Sequence, residues 1–245
     1  MKAWFGQIAR NMVLTSGLTL IVTACSAPPA ATGPAGNLSI LSLPADFSIA
    51  SLPDGWFLTG RARPEQISPA PQNPAHQLKV TSSDQGFALI RKTDAVLLAT
   101  PYLSWRWKPE PGNWSYHPVR ILIGFNDGGE LPLQASGLAR LFPRLALPPH
   151  DRGLSIIWGP SALMRGTLIH MSNRDSDRQE AYYTVRGGRE NAGKWWTETV
   201  DLSHIYAQAW PNDDASRARI VFIGIGAAKS NHPFTSQIAD IRLSR

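Results

Sequence analysis

At 245 residues with 43% hydrophobic content, the chain is long enough for one large β domain or two small ones, and one large domain is the expected organisation. Its formal charge of +6 comes from scattered Arg and Lys, with no run of five or six and no glycine-aromatic RNA motif, so nucleic acid is not an expected partner. Cys25 is the only cysteine, which excludes a disulfide within the chain and leaves the fold to stand on packing.

At the N-terminus Lys2 and Arg10 precede an apolar run over 12–23 that has the character of a signal h-region and is too short to span a bilayer. The run ends in Val22-Thr23-Ala24-Cys25, which resembles a bacterial lipobox. That resemblance implies cleavage before Cys25, lipid on its sulfur and, because Ser26 rather than an aspartate follows, the periplasmic face of the outer membrane. An ordinary secretory signal with a coincidental cysteine is the alternative. The expected organisation is therefore a signal peptide over 1–24, a lipidated cysteine and flexible tether over 25–37, and a β-sandwich over 38–245. The tether is rich in proline, glycine and small residues that cannot bury a core. A mildly basic surface in such a protein suits anionic envelope polymers or lipid head groups, or is simply a soluble surface.

Leu52-Pro53-Asp54-Gly55-Trp56 reads as a turn into a strand over 56–61, and the proline-rich piece 64–74 as a surface loop. Two strands joined by a turn are expected at 77–81 and 87–91. The segment 100–108 alternates most cleanly: Leu103, Trp105 and Trp107 share one face, while Tyr102, Ser104, Arg106 and Lys108 share the other. A strand over 119–125 follows, closed by the turn Asn126-Asp127-Gly128-Gly129. Leucines at near-helical spacing over 131–149 give a short helix or an irregular insertion. Further strands are expected at 154–158, 167–172, 181–186, 194–202, 219–226 and 238–243, with one short helix at 202–209. Many short strands with so little helix predict an all-β sandwich of jelly-roll, galactose-binding-like type. Its core is expected to include Leu103, Trp105, Trp107, Ile121, Ile123, Ile156, Phe222 and Ile241.

Several phrases taken together resemble the bacterial family of unknown function DUF3047: Tyr102-Leu103-Ser104-Trp105-Arg106-Trp107, then Trp196 with Glu198, Val200 and Asp201, then Ile223-Gly224-Ile225 and Ile238-Ala239-Asp240-Ile241. The resemblance covers roughly residues 40–245 and implies a jelly roll akin to carbohydrate-binding modules, with no established activity. The chain departs from that family's acidic positions at Ser115-Tyr116-His117-Pro118 and over 227–232, whereas Asp240 matches.

A paired-carboxylate hydrolase needs two acids facing across a cleft. Glu198, Asp201 and Asp240 are the acids in strand-like surroundings; a buried Glu198 paired with an arginine, and an Asp201 that ends a strand or caps a turn, are the structural alternatives. The six histidines, at 76, 117, 150, 170, 204 and 232, form no HExxH and no close His-x-His pair, and there is no G-x-S-x-G elbow or Walker loop. The acidic loops at 126–130 and 173–177 lack EF-hand spacing, and turn chemistry accounts for them. Neither metal nor cofactor is expected. Nine tryptophans are many for this length: Trp105, Trp107 and Trp158 suit the core, while Trp114, Tyr116, Trp195 or Trp196, and Trp210 fall where rings can stack on a sugar or simply be buried. The expected ligand-binding face carries Tyr102, Arg106 and Arg120 and is rimmed by Trp114 and His117. Its arginines suit an acidic or hydroxyl-rich ligand, unless they pair with nearby acids. The expected function is a non-catalytic glycan- or ligand-binding envelope lipoprotein. The alternatives are a hydrolase or lyase acting on an envelope polysaccharide, and a structural lipoprotein holding a partner protein.

Overall fold

The computed structural model describes residues 36–127, 148–171 and 179–245. Residues 1–35, with the expected signal peptide, Cys25 and most of the expected tether, residues 128–147, with most of the expected helix or insertion over 131–149, and residues 172–178 lie outside the described residues. The described chain is an all-β sandwich of jelly-roll type with one α-helix. Its strands are β1 (Leu38–Ser39), β2 (Trp56–Gly60), β3 (Ile67–Pro69), β4 (Gln77–Thr81), β5 (Phe87–Val96), β6 (Tyr102–Pro109), β7 (Val119–Asn126), β8 (Arg152–Gly159), β9 (Leu168–Met171), β10 (Gln179–Gly187), β11 (Trp196–Asp201), β12 (Arg219–Ala227) and β13 (Thr235–Ser244). The helix, α1, is Leu202–Ala209.

A six-stranded sheet runs β11-β6-β13-β4-β3, with β1 beside the end of β13, and a seven-stranded sheet runs β2-β5-β12-β7-β8-β10-β9. The proline-rich segment expected to be loop throughout contributes the short edge strand β3, where Pro69 ends the ladder. β4 and β5, adjacent in the chain, belong to different sheets, so the turn between them crosses the sandwich. β8 and β10 pair in parallel, because β9 lies on the far side of β10 and β10 fits between them.

β6 behaves as its alternation dictates. Leu103, Trp105 and Trp107 are fully buried between the sheets. The Trp105 and Trp107 rings meet edge to face at 5.7 Å, and Trp107 reaches Trp158 of the opposite sheet at 5.3 Å. Each such ring removes about 200 Å² from water, roughly 5 kcal/mol of hydrophobic driving force. Ile121, Ile123, Ile156 and Ile241 complete this core as expected. Phe222 is buried but on the other side: a bulge between Ile220 and Phe222 breaks the register of β12 with both neighbours. Ile220 and Ile223 therefore point inward, and Phe222 joins Ala88 and Ile90 on the outer face of the seven-stranded sheet.

Asp201 caps α1. Its Oδ1 accepts from the Ser203 N–H at 2.9 Å, the His204 N–H at 3.1 Å and the Ser203 hydroxyl at 2.6 Å. Burial pushes this carboxyl up, but the hydrogen bonds outweigh it and hold it below the usual aspartate value. The helix buries Leu202, Ile205, Tyr206 and Ala209 at i, i+3, i+4 and i+7. Tyr206 and the following Trp210 pack on Phe125 of β7, at 5.1 and 5.9 Å between centroids.

Candidate binding groove

The five side chains expected to share a face are not brought together. Tyr102 and Arg106 lie on the outer face of the six-stranded sheet, whereas Arg120 lies on β7 in the seven-stranded sheet, on the opposite side of the sandwich. β6 pairs with β11 and β13, never with β7. Trp114 and His117 do not rim an open surface, being 3% and 2% exposed. Their rings meet edge to face at 5.2 Å, and the His117 N–H donates to the Trp158 carbonyl at 3.1 Å. His117 Nδ1 accepts from the Val119 N–H at 3.2 Å, which requires a neutral imidazole with its proton on Nε2. Burial pushes its pKa down to about 4. His117 therefore pins the loop before β7.

The candidate acids are also separated. Glu198, 2% exposed, sits between the sheets: Arg186 donates to its two oxygens at 2.5 and 3.3 Å, and the Trp107 indole donates at 3.3 Å. The Arg186 guanidinium lies 3.8 Å over the Trp196 ring. Asp240 is on the outer face of the six-stranded sheet, where Arg106 Nε donates to its Oδ2 at 2.7 Å. It reaches that face because β13 breaks register between Ala239 and Arg242, with Asp240 in the left-handed region at φ 55°. The two carboxylates open onto no common cleft. Asp201 is the helix cap.

A third polar cluster is committed internally. Arg152 holds both oxygens of Asp213 at 2.6 and 3.1 Å, and the Tyr206 hydroxyl donates to Asp213 at 3.1 Å. Burial and then Asp213 push the Tyr206 phenol up. Burial and the neighbouring Asp127 push the Asp151 carboxyl up. Among the described residues no three His, Cys, Asp or Glu converge as a metal site, and no helix is long and apolar enough to cross a membrane.

An open groove of about 350 Å³ lies on the outer face of the seven-stranded sheet. Register builds it in rows. Across the middle run Phe57, Ile90, Gly224, Leu122, Ser155, Tyr182 and Ile169, each opposite the next. A flanking row carries Phe222, Gly124, Gly153 and Glu180. Gly226, beside Arg120, belongs to the row on the other side. The glycines let neighbouring side chains lie flat. A Cβ on Gly124 would meet the Phe222 ring at 2.1 Å, one on Gly224 would meet Ile90 Cγ2 at 2.5 Å, and one on Gly226 would meet Leu122 Cδ1 at 2.7 Å.

The floor is thus Ile90, Leu122 and Phe222, with His150 against the Phe222 ring at 4.9 Å. Polar groups stand around it: Arg120, Ser155, Glu180 and Tyr182. Arg120 lies over the Tyr182 ring at 5.2 Å, and its Nε donates to the Pro118 carbonyl at 3.5 Å. Of the side chains expected to bind ligand, Arg120 alone lines this groove. Glu180, Tyr182, Ser155 and Leu122 were missed, although a signal existed. Glycines at 224 and 226, two apart in an apolar strand, mark a face stripped of side chains.

No protein-family model matches the chain, and no curated protein matches it. Among solved structures, it is similar to endoglucanase 3 from family GH12 of Trichoderma harzianum, at 10% identity and a TM-score of 0.37 over 68% of this chain and 81% of that one. It is also similar to the family 11 carbohydrate-binding module of the cellulosomal cellulase Lic26A-Cel5E of Clostridium thermocellum, at 10% identity and a TM-score of 0.34 over 78% and 84%. A family 12 xyloglucanase from Bacillus licheniformis gives 7% identity and a TM-score of 0.39 over 89% and 97%.

Proposed function

We propose that this protein is a non-catalytic glycan-binding lipoprotein of the bacterial envelope, of the DUF3047 kind, anchored through lipid on Cys25 and binding its ligand in the groove of the seven-stranded sheet. The observation that carries this reading is the groove's chemistry: an apolar floor of Ile90, Leu122 and Phe222 within a polar rim of Arg120, Ser155, Glu180 and Tyr182. A pyranose ring has the matching character. Its C–H faces need apolar contact, and its edge hydroxyls need donors and acceptors at the rim. Glu180 is the one carboxylate among the described lining residues, and a glycosidase of the paired-acid type needs two. Binding without bond cleavage is therefore favoured over hydrolysis.

The test is calorimetric titration of the mature domain with soluble peptidoglycan fragments. Arg120→Ala and Tyr182→Ala should each weaken binding by roughly tenfold, the loss of one charge-assisted or stacking contact. Arg106→Ala, on the opposite face, should bind as the parent does. Equal binding by all three variants would place the site elsewhere, and a parent that binds no fragment would end the glycan reading. For the anchor, Cys25→Ala should move the protein from the membrane to the soluble fraction, and unchanged partitioning would exclude lipid on that residue.

A further inference from the structure

The groove carries two opposite charges with no ionic partner among the described residues. Arg120 has the Pro118 carbonyl and the Tyr182 ring as its contacts, and no described carboxylate pairs with it. Glu180 lies over Gly153, its Cγ 3.4 Å from where a Cβ would stand, and no described cation pairs with it. Other arginines are held by carboxylates, among them Arg106 by Asp240, Arg152 by Asp213, Arg186 by Glu198 and Arg219 by Asp94, whereas Arg91 of β5, like Arg120, lies over an aromatic ring.

Register fixes where the two residues stand on the sheet, and the Arg120 guanidinium then reaches across to the Tyr182 ring, two residues from Glu180 on β10. Arg120 and Gly124 are four residues apart on β7, and Gly124 is level with Gly153 on β8 and then with Glu180 on β10. Their backbones are thus about 13 Å apart along the strands and about 10 Å across two strand spacings, and the reach of the Arg120 side chain shortens the gap between the charges. Leu122, Ser155 and Tyr182 occupy the row between.

We infer that the groove takes a peptide-substituted saccharide bearing a free carboxylate at the Arg120 end and a free amine at the Glu180 end; this deepens, and rests on, the glycan-binding reading above. A neutral polysaccharide would cover both ions and the apolar floor between them while giving neither charge a counter-ion, which is unfavourable once water is displaced. A uniform polyanion would satisfy Arg120 and meet repulsion at Glu180. Only a ligand with opposite charges at its two ends compensates both, with alkyl groups of the peptide and sugar C–H faces resting on Leu122 and Phe222.

The experiment uses the mature domain and four probes: a disaccharide-tetrapeptide with its side-chain amine free, the same compound with that amine acetylated, chitotetraose, and polygalacturonate. Acetylation of the amine and Glu180→Gln should each weaken binding by about tenfold and should not compound when combined, because both remove one contact. Arg120→Gln should weaken the free and the acetylated compound by the same factor. If chitotetraose or polygalacturonate binds as tightly as the peptide-bearing compound, the charge inference falls while glycan binding stands. If acetylation and Glu180→Gln weaken binding additively, the amine is read elsewhere and the inference falls. If none of the four binds, the glycan-binding reading falls with it.

Discussion

The two outer faces of this sandwich are built from the same kind of strand and differ in what their polar side chains are doing. On the six-stranded sheet Arg106 is held by Asp240 and lies over the Trp195 ring at 5.4 Å, while Arg242 donates to the Ser104 hydroxyl at 3.1 Å. Thr197 and Thr199 on β11 stand opposite Arg106 and Ser104. On this solvated face the two arginines are held by a neighbouring carboxylate and a neighbouring hydroxyl. On the seven-stranded sheet the corresponding layer is apolar, thinned by glycines, and bounded by an arginine and a glutamate without ion pairs among the described residues. Charge on a strand face says little about binding; charge left uncommitted beside an apolar floor says a good deal.

The comparison can be strained first at the layer both faces share. Glu198→Ala would leave Arg186 buried without its carboxylate between the sheets, and should destabilise the protein by about 3–5 kcal/mol in urea denaturation. A loss below about 1 kcal/mol would show that the pair does not tie the sheets together.

Acid tests the same interior with a smaller effect. The folded pKa of His117 is depressed to about 4 from 6.5, so the unfolded chain takes up a proton that the folded one refuses. Its contribution is intact above pH 6.5 and is lost as pH falls from 6.5 through about 4, amounting to roughly 3 kcal/mol by the end. His117→Asn should show a flatter stability profile across that window. A parallel profile would mean that other groups cause the acid loss.

The smallest effect separates the faces themselves. Arg106 and Asp240 are 44% and 38% exposed at their side chains, so Arg106→Ala should cost less than about 1 kcal/mol. Arg120→Ala, with no ion pair to break among the described residues, should change stability by no more than about 0.5 kcal/mol while carrying the binding defect. If Arg120→Ala instead unfolds the domain, its role is structural and the contrast between the faces collapses.

Alternation, turn residues and spacing were enough to locate the longer sandwich strands, though not the short β1 and β3, together with the helix over 202–209 and most of the tryptophan core, because each is a local pattern with one face to bury. They could not say which sheet a strand joins. Arg106 and Arg120 looked like neighbours because their strands are consecutive in the chain, and the loop between them crosses from one sheet to the other. Nor could period-2 counting survive the bulges in β12 and β13, which send Phe222 and Asp240 to outer faces. Trp114 and His117 read as loop residues and are so, yet the loop folds inward onto Trp158. Side-chain character and local period are properties of the sequence itself. The pairing of strands distant in the chain, and with it the meeting of Arg120, Tyr182 and Glu180 around one groove, was decided by tertiary structure, since only sheet register sets which faces coincide.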